Sequence, residues 1–364
     1  MILLHILAGT ARGGCEGNAM CLIRESPAIE HRLLVLGEAG EMSPEFAGAV
    51  ADVRHAAVLD KGFRHIVAAI KDSLSESRPD GVIIWHGMVA LPEILHALRR
   101  CKCRILVHGG NPVSHSRLVD TFYWMREKWL GARARPTYVC CSRHVSDSFA
   151  GSFYLRRFAR TVVPNGVKTP TAEAHSPRPI GVGEPFTVGM VARLDHIKDH
   201  PALLHAFALV LKEWPSARLE LVGEGERREE LETLSHGIGI SGQVRFLGSV
   251  PDPYTKMKDW DIFAYATTER EGLGNALIEA LMFGLPCVAS DRGPVRELMG
   301  GSETGIVVPH DDPEALARAM MALASNFQQR QILSVQGRSW ATERFSAPRF
   351  AQEYLSLLGT TRES

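Results

Sequence analysis

Two carboxylates near residue 275 stand in a segment whose composition suits binding chemistry. Glu271 and Glu279 lie in the segment Glu-Gly-Leu-Gly-Asn-Ala-Leu-Ile-Glu. Gly272 and Gly274 precede an apolar helical pattern, so their backbone N–H groups would meet an anion at the positive end of a helix. Carboxylates hold vicinal hydroxyls, and the two glutamates are spaced to grip groups a phosphate's length apart. The alternative is an acid that favours the helix N-terminus and a solvated helix glutamate.

Two cations follow an apolar run earlier in the same half of the chain. Arg193 and Lys198 lie in Val-Ala-Arg-Leu-Asp-His-Ile-Lys, directly after a predicted strand over residues 187–192. Loops at the carboxyl ends of parallel strands form ligand sites, and cations there can bind a diphosphate. Downstream, Gly248, Ser249 and Val250 make a turn after another strand. This turn either contacts a ligand or is an ordinary strand-end turn.

The first half of the chain offers glycines and histidines after predicted strands. Gly13 and Gly14 lie in a loop before a helix predicted to start near Asn18. Such a loop can bring backbone N–H groups to a phosphate, and a plain tight turn is the alternative. His108 opens His-Gly-Gly-Asn after a strand, and His86 ends another strand, where a structural histidine is the alternative interpretation.

The elements that must position these residues alternate between apolar runs and helical patterns, which predicts an α/β fold with two Rossmann-like, doubly wound parallel-sheet domains. The predicted strands are 2–8, 32–36, 81–85, 104–108, 137–141, 187–192, 218–222, 243–246, 262–266 and 286–289. The predicted helices are 18–24, 63–77, 92–99, 117–130, 201–213, 226–234, 274–283, 313–325 and 347–358. Ligands bind such folds at the carboxyl ends of strands, so we expect a deep cleft between facing domains.

Proline and glycine crowd together over residues 163–185, as they do in linkers between domains. A chain of 364 residues also exceeds the size at which a single core stops growing. We predict an N-terminal Rossmann-like domain over residues 1–168 and a C-terminal Rossmann-like domain over 169–345. Residues 346–364 are predicted to form a helix that packs back towards the first domain.

The composition is that of a soluble globular protein, with 45% hydrophobic and 23% charged residues. No apolar run reaches the ~18 residues of a spanning helix, and the N-terminus lacks a basic region and a cleavage site. We therefore expect a cytoplasmic protein. The seven cysteines include no Cys-x-x-Cys pair and predict free thiols.

Asp259-Trp260-Asp261 has the Asp-x-Asp form of a known metal-binding motif, but it directly precedes a strand. Asp261 is expected to make hydrogen bonds at a turn or sheet edge instead. We expect no metal and no cofactor, since cations and helix N-termini can meet the charge of a diphosphate.

Charge is uneven along a chain whose formal net charge is zero. Residues 99–160 contain thirteen Lys or Arg against three Asp or Glu, with aromatic residues interleaved. This block could dock at the inner face of an anionic cytoplasmic membrane, and a solvated basic face over ordinary core aromatics is the alternative. Nucleic acid is not expected as a partner, because no recognised binding module accompanies the charge.

Over residues 187–310, and more loosely throughout, the sequence resembles family 4 of the retaining glycosyltransferases, which have the GT-B fold. The pattern of an Arg, a Lys soon after, and two glutamates separated by seven residues is matched by Arg193, Lys198, Glu271 and Glu279. Intervening segments also fit: Leu-Val-Gly-Glu-Gly at 221–225, Val-Arg-Phe-Leu-Gly at 244–248 and Ala-Leu-Met-Phe-Gly-Leu-Pro at 280–286.

The resemblance implies that the domain over 1–168 binds the acceptor and that the domain over 169–345 binds the nucleotide sugar. Arg193 and Lys198 would bind the donor diphosphate and stabilise its charge as it leaves, Glu271 would bind sugar hydroxyls, and Glu279 would bind the ribose. The backbone of Gly272, Leu273 and Gly274 would join Glu271. Gly248 and Val250 would lie beside the nucleotide base.

In the first half, the resemblance implies that Gly13 and Gly14 close on the diphosphate and that His108 lies beside the transferred sugar. Catalytic roles then fall to Arg193, Lys198, Glu271 and His108. The family usually has Gly-Phe-Gly after the first glutamate, whereas Leu273 stands here with Asn275, as in members that build bacterial surface polysaccharide.

The implied activity is transfer of a hexose from a UDP- or GDP-linked sugar to a glycan or lipid-linked acceptor, with retention and without metal, in polysaccharide, lipopolysaccharide or glycoconjugate synthesis. Two alternatives share the fold. A nucleotide-sugar epimerase would act without an acceptor, and a catalytically silent subunit would bind a partner enzyme.

Overall fold

The computed structural model describes residues 1–11, 13–85, 89–113, 116–170, 173–181 and 183–359. The chain divides into two compact units, one made of residues 1–166 with 347–364 and the other of residues 167–346. His86 lies outside the described residues. Within the described part of the chain, no helix combines the length and the apolar character needed to cross a bilayer.

The first unit is a parallel sheet of seven strands in the order β3-β2-β1-β4-β5-β6-β7. Its strands are β1 (Ile2–Leu7), β2 (Glu30–Val35), β3 (Asp52–His55), β4 (Gly81–Ile84), β5 (Arg104–Gly109), β6 (Thr137–Cys140) and β7 (Ala159–Val162). Its helices are α1 (Gly14–Glu25), α2 (Ser43–Ala47), α3 (Phe63–Ser77), α4 (Leu91–Ala97), α5 (Arg117–Leu130) and α6 (Arg143–Ser148), joined at the end of the chain by α14 (Ala347–Leu357).

The second unit repeats this plan with six parallel strands in the order β10-β9-β8-β11-β12-β13. The strands are β8 (Thr187–Val191), β9 (Arg218–Val222), β10 (Val244–Gly248), β11 (Ile262–Tyr265), β12 (Cys287–Ser290) and β13 (Ile306–Val308). The helices are α7 (His200–Glu213), α8 (Arg228–Gly237), α9 (Tyr254–Met257), α10 (Asn275–Phe283), α11 (Val295–Met299), α12 (Pro313–Ser325) and α13 (Phe327–Phe345).

The predicted α/β class with two Rossmann-like, doubly wound parallel sheets is confirmed. In each sheet the strand order reverses beside the first strand of the unit, between β1 and β4 and between β8 and β11. Crevices at the carboxyl ends of strands at such a reversal are where ligands bind in this class of fold. Arg193 and Lys198 follow β8, and Glu271 follows β11, so these side chains come from the two strands at that point.

Several predicted bounds were wrong. The helix after β1 begins at Gly14 rather than near Asn18, because the low helix propensity of glycine hides the first turn in the sequence. The edge strands β3, β7 and β13 were not predicted. A strand paired on one side only needs little apolar character, and β3 contains Asp52, Arg54 and His55.

Helix α14 completes the core of the first unit. Phe350 and Tyr354 are fully buried, and α14 packs on α1. The Arg349 guanidinium also donates to the carbonyl of Pro164 at 2.6 Å. This amphipathic helix therefore supplies apolar surface to a sheet that is built from the other end of the chain.

Candidate functional site

The loop after β8 is fixed by the ends of its neighbouring strands. Ala192 N donates to Val222 O at 2.9 Å, and Leu194 N donates to Glu224 O at 3.0 Å. A Cβ on Gly223 or Gly225 would overlap the backbone of this loop. The Gly-x-Gly after β9 therefore lets a second loop approach the segment that contains Arg193.

Lys198 and Glu271 are in direct contact. An isolated bridge between Lys198 and Thr267 holds the loop after β8 against the end of β11. The Lys198 ammonium donates to a carboxylate oxygen of Glu271 and, at 2.7 Å, to the Tyr265 hydroxyl. The sequence predicted two separate ligand contacts for these residues, whereas the structure joins them as an ion pair within one cluster.

Glu271 is the centre of that cluster. Its Oε2 accepts hydrogen bonds from the Tyr265 hydroxyl at 2.6 Å and from Thr267 Oγ1 at 3.2 Å, in addition to Lys198. Its Oε1 accepts from the backbone N–H of Gly272 at 3.1 Å. The side chains of Lys198 and Glu271 are only 13% and 10% exposed. The cluster is therefore a largely desolvated pair of charges with fixed donors.

The protonation states in the cluster follow from these contacts. Burial by itself raises the pKa of Glu271, but the Lys198 charge and the three side-chain hydrogen bonds outweigh it and hold that pKa below its ordinary value. Burial and the Glu271 charge raise the pKa of Tyr265 well above its ordinary value. Glu271 is therefore an anion near neutral pH, and Tyr265 is a neutral donor.

Arg193 is presented differently. Its side chain is 73% exposed and makes an ion pair with Asp195 at 3.0 Å. Asp195 in turn accepts from the backbone N–H of Ile197 at 2.9 Å. A guanidinium on a long stem at the carboxyl edge of the sheet can swing to an anion, with Asp195 limiting its range.

Glu279 lies one turn inside α10 and is partly buried rather than solvated. Burial, and then the charge of Asp252, raise the pKa of Glu279 to about 7. Among the residues that the structure describes, none donates a hydrogen bond to this carboxylate. A partly buried carboxylate without a donor among these residues has the capacity to accept hydrogen bonds from a ligand's hydroxyls.

The segment 271–274 is buried, and the Gly272 N–H donates to Glu271. The predicted approach of the Gly272 and Gly274 N–H groups to an anion stays a prediction. Leu273 is 2% exposed and packs into the core. Gly274 has φ of +92°, and a Cβ there would lie 2.7 Å from the Tyr265 hydroxyl oxygen. Glycine is thus required at Gly274 for backbone conformation and for close approach to Tyr265.

Gly248 and Val250 lie at the end of β10, with Gly248 at φ of +73°. The Gly248 carbonyl accepts from Gly223 N at 2.9 Å, so this turn adjoins the loop that supports Arg193. The predicted contact with a base stays a prediction.

In the first unit, Gly13 precedes α1 and Gly14 is its first residue. The Gly13 carbonyl accepts from Gly17 N at 2.9 Å. No described atom lies within 4 Å of the position that a Cβ on Gly14 would take. Packing among the described residues therefore does not require glycine at position 14. The predicted close approach to a phosphate is one physical reason for a glycine there.

His108 is buried at the end of β5, with 1% of its surface exposed. Its Nδ1 lies 2.8 Å from the Tyr354 hydroxyl and its Nε2 lies 3.4 Å from the Asn18 amide nitrogen. The Trp85 ring is 5.4 Å away. His108 thus joins α14, α1 and β5, and its predicted contact with a sugar stays a prediction.

Asp261 makes the sheet-edge contacts that its position predicted. Its carboxylate accepts from Thr187 N at 2.9 Å and pairs with Arg178 at 3.0 Å. Over the described ranges, no group of three or more His, Cys, Asp or Glu side chains is placed to hold a metal ion.

Three participants were missed by sequence reasoning. Tyr265 and Thr267 lie in and just after the apolar strand β11, where they read as core residues, and Tyr354 lies on a helix distant in sequence from His108. The sequence signal that could have identified two of them is the presence of polar groups, in Tyr265 and Thr267, within an otherwise apolar run.

Comparison with known proteins bears on the unit that holds this cluster. Residues 174–340 match the family described as Glycosyl transferases group 1. This stretch includes Arg193, Lys198, Glu271 and Glu279. The chain is homologous to bacterial group 1 glycosyltransferases.

Curated relatives match with moderate identity. The lipopolysaccharide core biosynthesis glycosyltransferase LpsE of Rhizobium meliloti is 28% identical over 46% of this chain and 53% of its own length. A GDP-mannose-dependent alpha-(1-6)-phosphatidylinositol monomannoside mannosyltransferase of Mycolicibacterium smegmatis is 27% identical over 86% of this chain and 85% of its own length. The match to LpsE thus spans only about half of that relative.

The fold of this group 1 homologue also has solved counterparts. Anabaena HepE, solved in complex with UDP-glucose, superposes with a TM-score of 0.82 at 20% identity, covering 99% of this chain and 100% of HepE. At that identity the likeness establishes the fold, which is that of GT-B glycosyltransferases.

Proposed function

We propose that this protein transfers a hexose from a UDP- or GDP-linked sugar to a glycan or lipid-linked acceptor, with retention and without a metal ion. The observation that carries the proposal is the Lys198–Glu271–Tyr265 cluster at the strand-order reversal of the second unit. The group 1 match over the same residues supports it, as do relatives named for lipopolysaccharide synthesis and mannosyl transfer.

Charge is the main contribution of the cluster in this proposal. The diphosphate of the donor would lie near Lys198 and Arg193, and their positive charge would stabilise the leaving group as its bond to the anomeric carbon breaks. Glu271 holds the Lys198 ammonium in position before the donor arrives. The second oxygen of Glu271 accepts one hydrogen bond from Gly272 and has capacity for a sugar hydroxyl. Glu279 would accept from the ribose hydroxyls.

The chemistry then needs no protein nucleophile. The acceptor oxygen bonds to the anomeric carbon on the face that the diphosphate leaves, and the acceptor's proton passes to the departing phosphate. Positioning and electrostatic stabilisation supply the rate, so the loss of one fixed charge beside the leaving group costs on the order of 100-fold. Synthesis of surface polysaccharide at the cytoplasmic side of the membrane is the proposed setting.

Release of nucleoside diphosphate tests the function. Purified protein is incubated with UDP-glucose, UDP-galactose or GDP-mannose. Each incubation is done with and without an acceptor fraction obtained by lipid extraction. We expect release with one donor, only when acceptor is present, and a loss of about 100-fold in Lys198→Ala. Lys212→Ala, an exposed lysine on α7, is the matched control and retains activity. Epimerised donor without acceptor, or equal release by the Lys198 variant, would contradict the proposal.

A further inference from the structure

Helix α5 exposes its apolar side chains. Of the ten large hydrophobic residues that are exposed in the described part of the chain, five lie in this helix: Leu118, Val119, Phe122, Met125 and Trp129. Leu118 is 83% exposed and Trp129 is 75% exposed. Apolar side chains clustered on one exposed element mark an interaction surface.

The opposite side of α5 is buried and acidic. Asp120 accepts from Ser152 Oγ at 2.7 Å, and Glu127 pairs with Arg157 and, at 3.2 Å, with Arg135. Both carboxylates are about 95% buried. Polar contacts therefore hold this side of α5, together with the buried Leu130 and the packing of Tyr123 on Tyr154, while the apolar stripe is exposed.

Helical geometry separates these two faces. At about 100° per residue, Leu118, Phe122, Met125 and Trp129 fall within a sector roughly 60° wide, and Asp120 and Glu127 lie about 180° away. Arg117 and Lys128 flank the sector on one side. Long basic side chains beside an apolar stripe can extend to anionic groups while their stems cover apolar surface.

The surroundings of the stripe are positively charged. Of the three acidic residues between positions 99 and 160, Asp120 and Glu127 are buried and Asp147 is exposed, against thirteen Lys and Arg. Beyond the end of α5, four arginines line a cavity of about 510 Å³: Arg99, Arg104, Arg133 and Arg135. Among the described residues, no carboxylate pairs with Lys128 or Arg133.

We propose that the exposed face of α5 docks on an anionic lipid bilayer, with Leu118, Phe122, Met125 and Trp129 entering the interface and the adjacent basic residues contacting lipid phosphates. An apolar stripe with basic flanks has this chemistry. A second copy of the chain is disfavoured, since two such faces would bring like charges together. The surface is separate from the Lys198–Glu271 cluster.

Vesicle sedimentation tests the docking without any donor or acceptor, so its outcome is independent of transfer activity. The full chain is mixed with vesicles of phosphatidylcholine alone or with about one third phosphatidylglycerol. We expect binding to the anionic vesicles, weaker at high salt, with a blue shift of tryptophan fluorescence as Trp129 enters the interface. Two double variants should bind the anionic vesicles at least tenfold more weakly than the unchanged protein. One combines Phe122→Glu with Trp129→Glu, and the other combines Lys128→Glu with Arg133→Glu.

The matched control changes exposed apolar residues on another helix. Ile332→Glu with Val335→Glu in α13, where the side chains are 46% and 71% exposed, should bind vesicles as the unchanged protein does. All three variants should keep the unfolding temperature, because the altered residues are exposed. Failure of the unchanged chain to sediment, or equal sedimentation of the Phe122/Trp129 variant, would overturn the proposal. A dimer that this variant dissociates would assign the face to self-association instead.

Discussion

At the scale of single residues, the Tyr265 hydroxyl contacts both charges of the candidate site. It donates to Glu271 at 2.6 Å and accepts from Lys198 at 2.7 Å in a buried environment. It thus helps to orient an anion and a cation that also contact each other directly. Its loss should therefore loosen the pair rather than abolish it.

The variant Tyr265→Phe tests this role. We expect a fall of about 1 to 2 kcal/mol in the free energy of unfolding, because two buried charged groups each lose one hydrogen bond. Donor turnover should fall less than in Lys198→Ala, since the ammonium remains. Urea unfolding and nucleotide release measure the two effects. Unchanged stability would show that the hydroxyl contributes nothing to the pair.

Glu279 predicts a pH dependence of stability. Its folded-state pKa is raised to about 7 from an ordinary value of 4.5. Between these values the folded protein keeps a proton that the unfolded chain has lost, so stability falls as pH rises through this window and then levels above about pH 7. The full effect is about 1 to 3 kcal/mol for a partly buried group.

Glu279→Gln removes that titration. The variant should be more stable than the unchanged protein at pH 8, and its stability should vary less between pH 5 and pH 7, as measured by urea unfolding at each pH. Glu229→Gln on α8, where the side chain is exposed, is the control and should leave the pH profile as it was. If the stability of Glu279→Gln varied with pH in the same way as that of the unchanged protein, the titration would belong to another group.

At the scale of elements, the turn between β11 and α10 depends on Gly274. Alanine there would combine an unfavourable positive φ with a Cβ 2.7 Å from the Tyr265 hydroxyl oxygen. We expect Gly274→Ala to reduce the free energy of unfolding by about 1 to 3 kcal/mol and to reduce turnover by displacing Tyr265. Gly242→Ala, where no atom lies within 4 Å and φ is not positive, is the control for both measurements.

Much of the element order was predictable because buried parallel strands are continuous apolar runs. Strand β9 and helices α3, α5 and α12 have the predicted bounds. Helix α13 was not predicted, since its apolar residues follow no clear stripe, and the bounds of α1 were hidden by Gly14. Local patterns do not encode such elements, whose stability comes from tertiary packing.

The site was predictable in part. Residue type and position after strands singled out Arg193, Lys198, Glu271 and Glu279, and the fold places all four in the second unit. Lys198 and Glu271 are 73 positions apart and form an ion pair because β8 and β11 are adjacent strands in the sheet. The spacing of the two residues in the sequence does not show this adjacency. The contact of the Tyr265 hydroxyl with Glu271 was equally unpredictable, because Tyr265 is the last residue of an otherwise apolar strand.

At the scale of the whole molecule, the first unit depends on helix α14, which lies near the end of the described residues. A chain ended after Ser346 would lack Phe350 and Tyr354, which are fully buried in the first unit. We expect that chain to lose the cooperative unfolding of the first unit, because deletion of even one large aromatic side chain costs about 3 to 5 kcal/mol. Scanning calorimetry measures this as loss of heat absorption.

Phe350→Ala in the full chain is the graded comparison, with a lowered but cooperative transition for the first unit. The second unit holds no residue of α14 and should unfold as before in both variants. Retention of the full calorimetric enthalpy by the shortened chain would show that α14 is dispensable.

The two ends of the second unit are hydrogen-bonded to each other, with Val167 N donating to Phe345 O at 2.8 Å. This closure sets an order of assembly on the ribosome. The second unit has its complete sequence once residue 346 has emerged, whereas the first unit, although made first, still awaits Phe350 and Tyr354. Domains ordinarily fold in the order of their synthesis. We therefore expect the earlier half of the polypeptide to mature later than the second unit, because its core stays incomplete until α14 has emerged.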